Sequence, residues 1–281
     1  GLFGPIIHFG GCIAAALERL FRLLSRGVIL AAGGAAGIAA LFSAPIAACI
    51  FAHEMLLRRF RSSESAPVVM AALGGYFGAV MVLGDDRRFL SVMGDPPPLD
   101  PTSLSLAILV GIFSGLLSSL YIYLIGAGPV WAKSTKVHPI LRPLIPATLL
   151  FLISPFFPQL IGPGMFSVNM ALAGEFTFYL LLVLAILKVF ATAFCRSFGF
   201  HGGILLPAVF FGAMLGSAFD LLVGNGGHLY AILGAAACTG SAIGAPIAAV
   251  VILFEMSGDY RFVILALVSV SLSCQISRTL V

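Results

Sequence analysis

Charge is scarce in this chain: Asp, Glu, Lys and Arg together make up 9% of its 281 residues. Set against 60% hydrophobic residues, that share excludes a water-soluble globule and leaves an integral membrane protein. The net charge of +4 says little about nucleic acid, and none is expected as a partner. Cysteine is sparse and never paired. Cys12, Cys49, Cys195, Cys238 and Cys274 stand singly, mostly within apolar stretches, as packing residues rather than bridges or ligands. Period-two alternation is missing, which argues against a β-barrel. No Gly-rich nucleotide loop, nucleophile elbow or metal helix occurs, and His8, His53 and His201 lack the spacing of a metal pair. No enzyme, metal or cofactor is therefore expected. No cleavable signal segment is visible either.

Long apolar stretches dominate what remains. They run near 5–17, 28–52, 67–84, 104–127, 144–161, 178–195, 204–223, 229–254 and 262–275, each approaching or exceeding the roughly 17 to 25 residues that cross a bilayer as helix. Several are short or broken by Pro and Gly. Lipid tolerates no unpaired backbone, so breaks such as Ser43-Ala44-Pro45 and Gly244-Ala245-Pro246 must be buried in protein or face a water-filled cavity.

Two of these stretches repeat one another. Ala32 to Met55 set against Leu233 to Met256 gives ten identities in 24 positions, among them Ala44-Pro45-Ile46-Ala47-Ala48 with Ala245-Pro246-Ile247-Ala248-Ala249 and Glu54-Met55 with Glu255-Met256. Upstream, Gly1-Leu2-Phe3-Gly4-Pro5 aligns with Gly203-Ile204-Leu205-Leu206-Pro207. A duplicated, apolar unit broken by Gly and Pro is the mark of transporter folds. The second copy is preceded by roughly a hundred residues of mostly apolar chain. A comparable membrane portion is accordingly expected ahead of Gly1.

The few charges fall between apolar stretches. Arg19, Arg22 and Arg26, then Arg58, Arg59 and Arg61, then Lys133, Lys136 and Arg142 mark loops expected on the cytoplasmic side. Asp85, Asp86, Asp95 and Asp100 outnumber Arg87 and Arg88 between Gly84 and Pro101, a segment expected on the opposite face. Its Pro96-Pro97-Pro98 run should be an extended spacer.

Gly1-Leu2-Phe3-Gly4-Pro5 resembles the first anion loop of the chloride channel and chloride/proton antiporter (CLC) family. Further agreement comes in order along the chain: Ala31 to Phe42 followed by Ser43-Ala44-Pro45, the Gly162-Pro163-Gly164 turn, His201-Gly202-Gly203-Ile204-Leu205-Leu206-Pro207, and Gly244-Ala245-Pro246 through Glu255 to Asp259-Tyr260. The resemblance implies an all-α integral membrane protein with a CLC-type inverted repeat of broken helices. On that reading, 1–83 is the C-terminal part of the first repeat, 84–102 a linker and 103–281 the second repeat. It further implies transport of chloride or a similar small anion, a multi-pass place in the plasma (inner) membrane, and a homodimer with one pore per subunit. The subunits would join near 67–83 and 244–275, where Gly74, Gly75 and Gly78 would permit close packing.

The loops have a physical reading of their own, since each feeds an apolar helix. A helix start presents unpaired N–H groups and the positive end of the dipole, which hold an anion without buried lysine or arginine. The candidate ligands are the backbone amides of Leu2, Phe3, Gly4, Ile204, Leu205 and Leu206, with Gly1 and Gly203 allowing close approach and Pro5 and Pro207 in the first turn.

Departures from the family decide the mechanism. Where its first loop carries a gating acid, this chain has Phe3, and where it carries a second, internal proton-transferring glutamate, this chain has Met55, beside Glu54. Neither replacement can titrate. Leu205 replaces the second loop's aromatic, and the family's serine and C-terminal tyrosine anion ligands have no counterpart between Gly1 and Val281. Passive, uncoupled conduction past a Phe3 that swings aside is the expectation. The alternatives are a Phe3 that plugs the outer site, a chloride/proton or fluoride/proton antiporter, an organic-anion transporter, or a non-conducting scaffold. Glu255 resembles a structural family glutamate, and Lys188 either attracts anions or snorkels.

Overall fold

The computed structural model describes residues 3–18, 24–84, 100–200, 202–224, 228–257 and 263–281. Gly1, Leu2, His201, Asp259, Tyr260, Arg19, Arg22 and the Asp- and Pro-rich part of the linker lie outside the described residues, as does the side chain of Phe3. Among the described residues the regular structure is helical throughout: α1 (Phe3–Ala16), α2 (Arg26–Phe42), α3 (Pro45–Phe51), α4 (Ser62–Leu83), α5 (Pro101–Ser134), α6 (Leu144–Ile153), α7 (Met165–Leu172), α8 (Phe178–Ser197), α9 (Leu205–Val223), α10 (Leu229–Ile243), α11 (Pro246–Ser257) and α12 (Val263–Leu280). A π-helical turn, Ala52–Leu57, extends α3, and a 3-10 turn, Pro158–Leu160, precedes α7. Five of these helices, α4, α5, α8, α9 and α12, are long and apolar enough to cross a membrane.

The breaks read at Ser43-Ala44-Pro45 and Gly244-Ala245-Pro246 divide the apolar stretches at 28–52 and 229–254 into two helices each. α2 ends at Ser43 and α10 at Gly244, both in the left-handed region at φ 52° and 71°, and the following Pro45 and Pro246 start α3 and α11. Proline cannot continue a helix but suits the first turn of the next, so the same dipeptide ends one helix and begins another. At 144–161 only Leu144–Ile153 is α-helical. α5 takes in Pro101 and Thr102 from the linker, capped by Asp100, whose carboxylate accepts the Ser103 amide at 2.8 Å. At 34 residues it is about 51 Å long, more than a bilayer's hydrocarbon thickness, an excess that tilt, a kink at Pro129 or projection past the membrane accommodates.

Small residues set how closely the helices cross. A methyl on Gly10 would run into the Gly33 carbonyl and one on Gly33 into the Gly10 carbonyl, which fixes the α1–α2 crossing. The same exchange recurs between Gly212 and Gly234 at the α9–α10 crossing. Lipid gives helices no hydrophobic reason to associate, so close backbone approach and hydroxyl bonds do it instead. Ser269 Oγ donates to the Ala107 carbonyl at 2.8 Å and Ser273 Oγ to the Ala237 carbonyl at 3.0 Å, joining α12 to α5 and α10. α10 is buried along nearly its whole length among α9, α5, α11 and α12. Gly75 serves a crossing inside the chain, against the Ala36 backbone of α2, whereas Gly74 and Gly78 face open space.

Candidate anion-binding site

The two duplicated helix starts meet. α1 and α9 each carry proline at the third helical position, Pro5 and Pro207, and a methyl built on Gly4 would lie 3.5 Å from Gly203 Cα. Leu205 and Leu206 open α9 as its first two helical residues, behind the N-cap Ile204. The first amides of a helix have no partner within the helix itself, and Pro207 brings no N–H at all. The carbonyls around this turn are drawn elsewhere: Arg196 Nη1 donates to the Gly202 carbonyl at 2.9 Å and Tyr121 Oη to the Ile204 carbonyl at 3.3 Å. With the acceptors engaged, the turn offers its donors.

Pro5, Gly203, Ile204 and Pro207 line one cavity of about 490 Å³, completed by Gly162, Pro163, Lys188, Thr192, Cys195, Arg196 and Phe200 among others. Among the described residues no acidic side chain lines it. Lys188 does not snorkel: its ammonium is buried and donates to the Leu160 and Gly162 carbonyls at 2.9 Å each. It also lies 4.6 Å from the centre of the Phe210 ring. These contacts hold the Gly162-Pro163-Gly164 turn, whose glycines take φ 69° and 79°. At Gly164 a methyl would meet the Phe210 ring.

The other two duplicated helix starts are closed. Glu54 accepts the Ile247 and Ala248 amides at 3.2 and 2.8 Å, filling the start of α11. Glu255 accepts the Ile46 and Ala47 amides at 3.0 and 2.6 Å, filling the start of α3. Each copy's glutamate thus caps the other copy's helix, so a carboxylate already occupies the place a mobile anion would take. The π-helical turn carries Glu54 toward α11, while Met55 is half-buried against the apolar core. His53 is structural: Nδ1 donates to the Arg59 carbonyl at 3.0 Å, Nε2 lies 3.1 Å from Ser65 Oγ, and the ring stacks on Phe60. Arg59 in turn pairs with Glu64 at 2.7 Å.

Of the candidate ligands and helix-start residues, the structure brings Pro5, Gly203, Ile204 and Pro207 to one cavity, with Gly4 beside Gly203 and Leu205 and Leu206 following Ile204 at the start of α9. Tyr121 and Arg196 were not among them. Arg196 could have been found from its spacing, eight residues after Lys188 on the same helix. For Tyr121, 83 residues from its partner, the sequence carries no signal.

The family profile described as "Voltage gated chloride channel" matches residues 1–278. Among similar proteins, an uncharacterized protein of Methanocaldococcus jannaschii is 27% identical over 99% of this chain and 70% of its own length. The H(+)/Cl(-) exchange transporter ClcA of Vibrio cholerae is 27% identical over 94% of this chain, which spans only 59% of that protein. The crystal structure of a CLC-type fluoride/proton antiporter superposes with a TM-score of 0.88 at 23% identity, over 99% of this chain and 70% of its own. That of a slow cyanobacterial Cl-/H+ antiporter gives 0.86 at 22%, over 100% and 68%. The fold, the five helices long and apolar enough to cross a membrane and the family match together make this chain an integral membrane protein that belongs to the voltage gated chloride channel family.

Proposed function

We propose that the protein carries chloride or a similar small anion through the membrane passively, without moving protons, as a homodimer with a pathway in each subunit. The carrying observation is the meeting of two helix starts, α1 and α9, the second without a side-chain cap, at a cavity that no acidic side chain lines among the described residues. Backbone donors there can replace part of an anion's hydration while holding it weakly enough to release it. The uncoupled character rests on Phe3 and Met55, which by the family resemblance stand where other members carry proton-transferring carboxyls, and neither can titrate. The relatives named as exchangers and antiporters are a reason to test coupling directly.

Chloride efflux from proteoliposomes holding the full gene product, measured under imposed pH gradients, tests this. Downhill chloride movement indifferent to the gradient is expected, and Phe3→Glu should make the flux fall as a titrating carboxylate competes for the outer site. Uphill chloride movement driven by protons would overturn the uncoupled reading. Absence of any anion flux would favour a non-conducting membrane scaffold.

A further inference from the structure

One face of α8 forms a wall of the cavity between the two helix starts, with Lys188, Ala191, Thr192, Cys195 and Arg196 at helical spacing. Its two cations are placed differently. Arg196 makes its bond to Gly202 at an exposed position, where salt screens its charge. Lys188 is 3% exposed, and every partner described above for it is a dipole or a ring: two carbonyls and the face of Phe210. Among the described residues no carboxylate pairs with it, and none lines the cavity. An ammonium has three N–H donors, so the two carbonyl bonds leave one unspent among the described residues.

A buried charge answered only by dipoles is costly in a membrane protein and marks function rather than packing. The cost is recovered if an anion shares the cavity, because two opposite charges in a low-dielectric space attract far more strongly than in water. We propose that Lys188 is the fixed counter-charge of the transported anion, its third N–H directed at a monovalent anion held between Pro5 and Ile204. Resting on the anion-pathway reading, this adds a side-chain cation to a site otherwise built from backbone amides. Lys188 then has two duties: it positions the Gly162-Pro163-Gly164 turn through its carbonyl bonds, and it sets the sign of charge that the cavity admits.

The test compares chloride binding by titration calorimetry, in detergent, for the wild-type full-length protein and Lys188→Gln, Lys188→Arg and Thr192→Glu, with chloride flux measured in parallel. Glutamine can still donate to the carbonyls but carries no charge, so Lys188→Gln should weaken chloride binding by about tenfold or more. Lys188→Arg should stay within about threefold of wild type. Thr192→Glu adds a carboxylate one turn along the same wall while leaving the lysine bonds in place, and it should also weaken binding tenfold. It answers the question even if Lys188→Gln does not fold. Wild-type chloride binding retained in Lys188→Gln or in Thr192→Glu overturns the counter-charge role alone. Failure of the wild-type protein to bind or pass chloride overturns the pathway reading beneath it.

Discussion

Ser43 holds a left-handed backbone at φ 52°, where the second copy has Gly244 at φ 71°. A side chain in that region costs about 1–2 kcal/mol that glycine escapes. The hydroxyl returns nothing, since Ser43 Oγ is buried without a hydrogen-bond partner. Ser43→Gly should therefore raise stability by about 1 kcal/mol, seen as a higher melting temperature in detergent, and an unchanged or lower midpoint would count against the strain. Legibility at this scale is uneven. Phe3 and Met55 are readable because an absent carboxyl is a chemical fact of the sequence. The fate of Lys188 is not, because the Leu160 and Gly162 carbonyls are backbone atoms 28 and 26 positions away. No side-chain type announces a carbonyl's direction.

The helix breaks were legible and their partners were not. Ala-Pro at 44–45 and 245–246 shows where two helices meet, since a proline's missing N–H and fixed φ act locally. Hydropathy alone reads straight across them, which is why 28–52 and 229–254 look like single spans. Of the four duplicated helix starts, two are filled by glutamates of the opposite copy and two lie at the cavity. That division depends on distances across the fold, and the pairing of Glu54 with Ile247 bridges 193 positions. Glu54→Ala and Glu255→Ala should each destabilise by about 2 kcal/mol, by removing a charged acceptor from two amides. The loss should be similar for the two variants because the caps are equivalent. Equilibrium unfolding in mixed micelles measures it, and a variant within about 0.5 kcal/mol of wild type would show that water serves the amides equally well.

At the scale of the whole molecule the solvent was the most legible property. Few charges and long apolar stretches require lipid around the chain, and the outer faces agree: Leu109, Phe113, Leu116 and Leu120 of α5 are exposed, while Gly111 and Gly115 on the same helix are pressed against α12. Leu116→Arg, near the middle of α5, should cost about 2.5–3.5 kcal/mol of membrane insertion, whereas the same change in a water-facing loop should be nearly silent. Partition of the expressed protein between membrane and aggregate fractions reads this, and undisturbed insertion would mean that Leu116 faces protein or water in the assembled molecule. Closeness of packing was the least legible property here, because a glycine in an apolar stretch looks alike whether it meets a carbonyl, as Gly33 does, or open space, as Gly78 does.

The exchanged caps of Glu54 and Glu255 have one more consequence. When residue i of one unit touches j of another and j of the first touches i of the second, the relation is that of an isologous contact between identical subunits. Here it is written inside a single polypeptide, as in a two-fold dimer whose members have been spliced end to end. Neither copy can satisfy its own helix start, because the carboxylate that does so belongs to its twin. Sequence drift in one copy is therefore constrained by the other: each must keep both a glutamate to lend and a helix start to receive one, long after the rest of the pair has diverged.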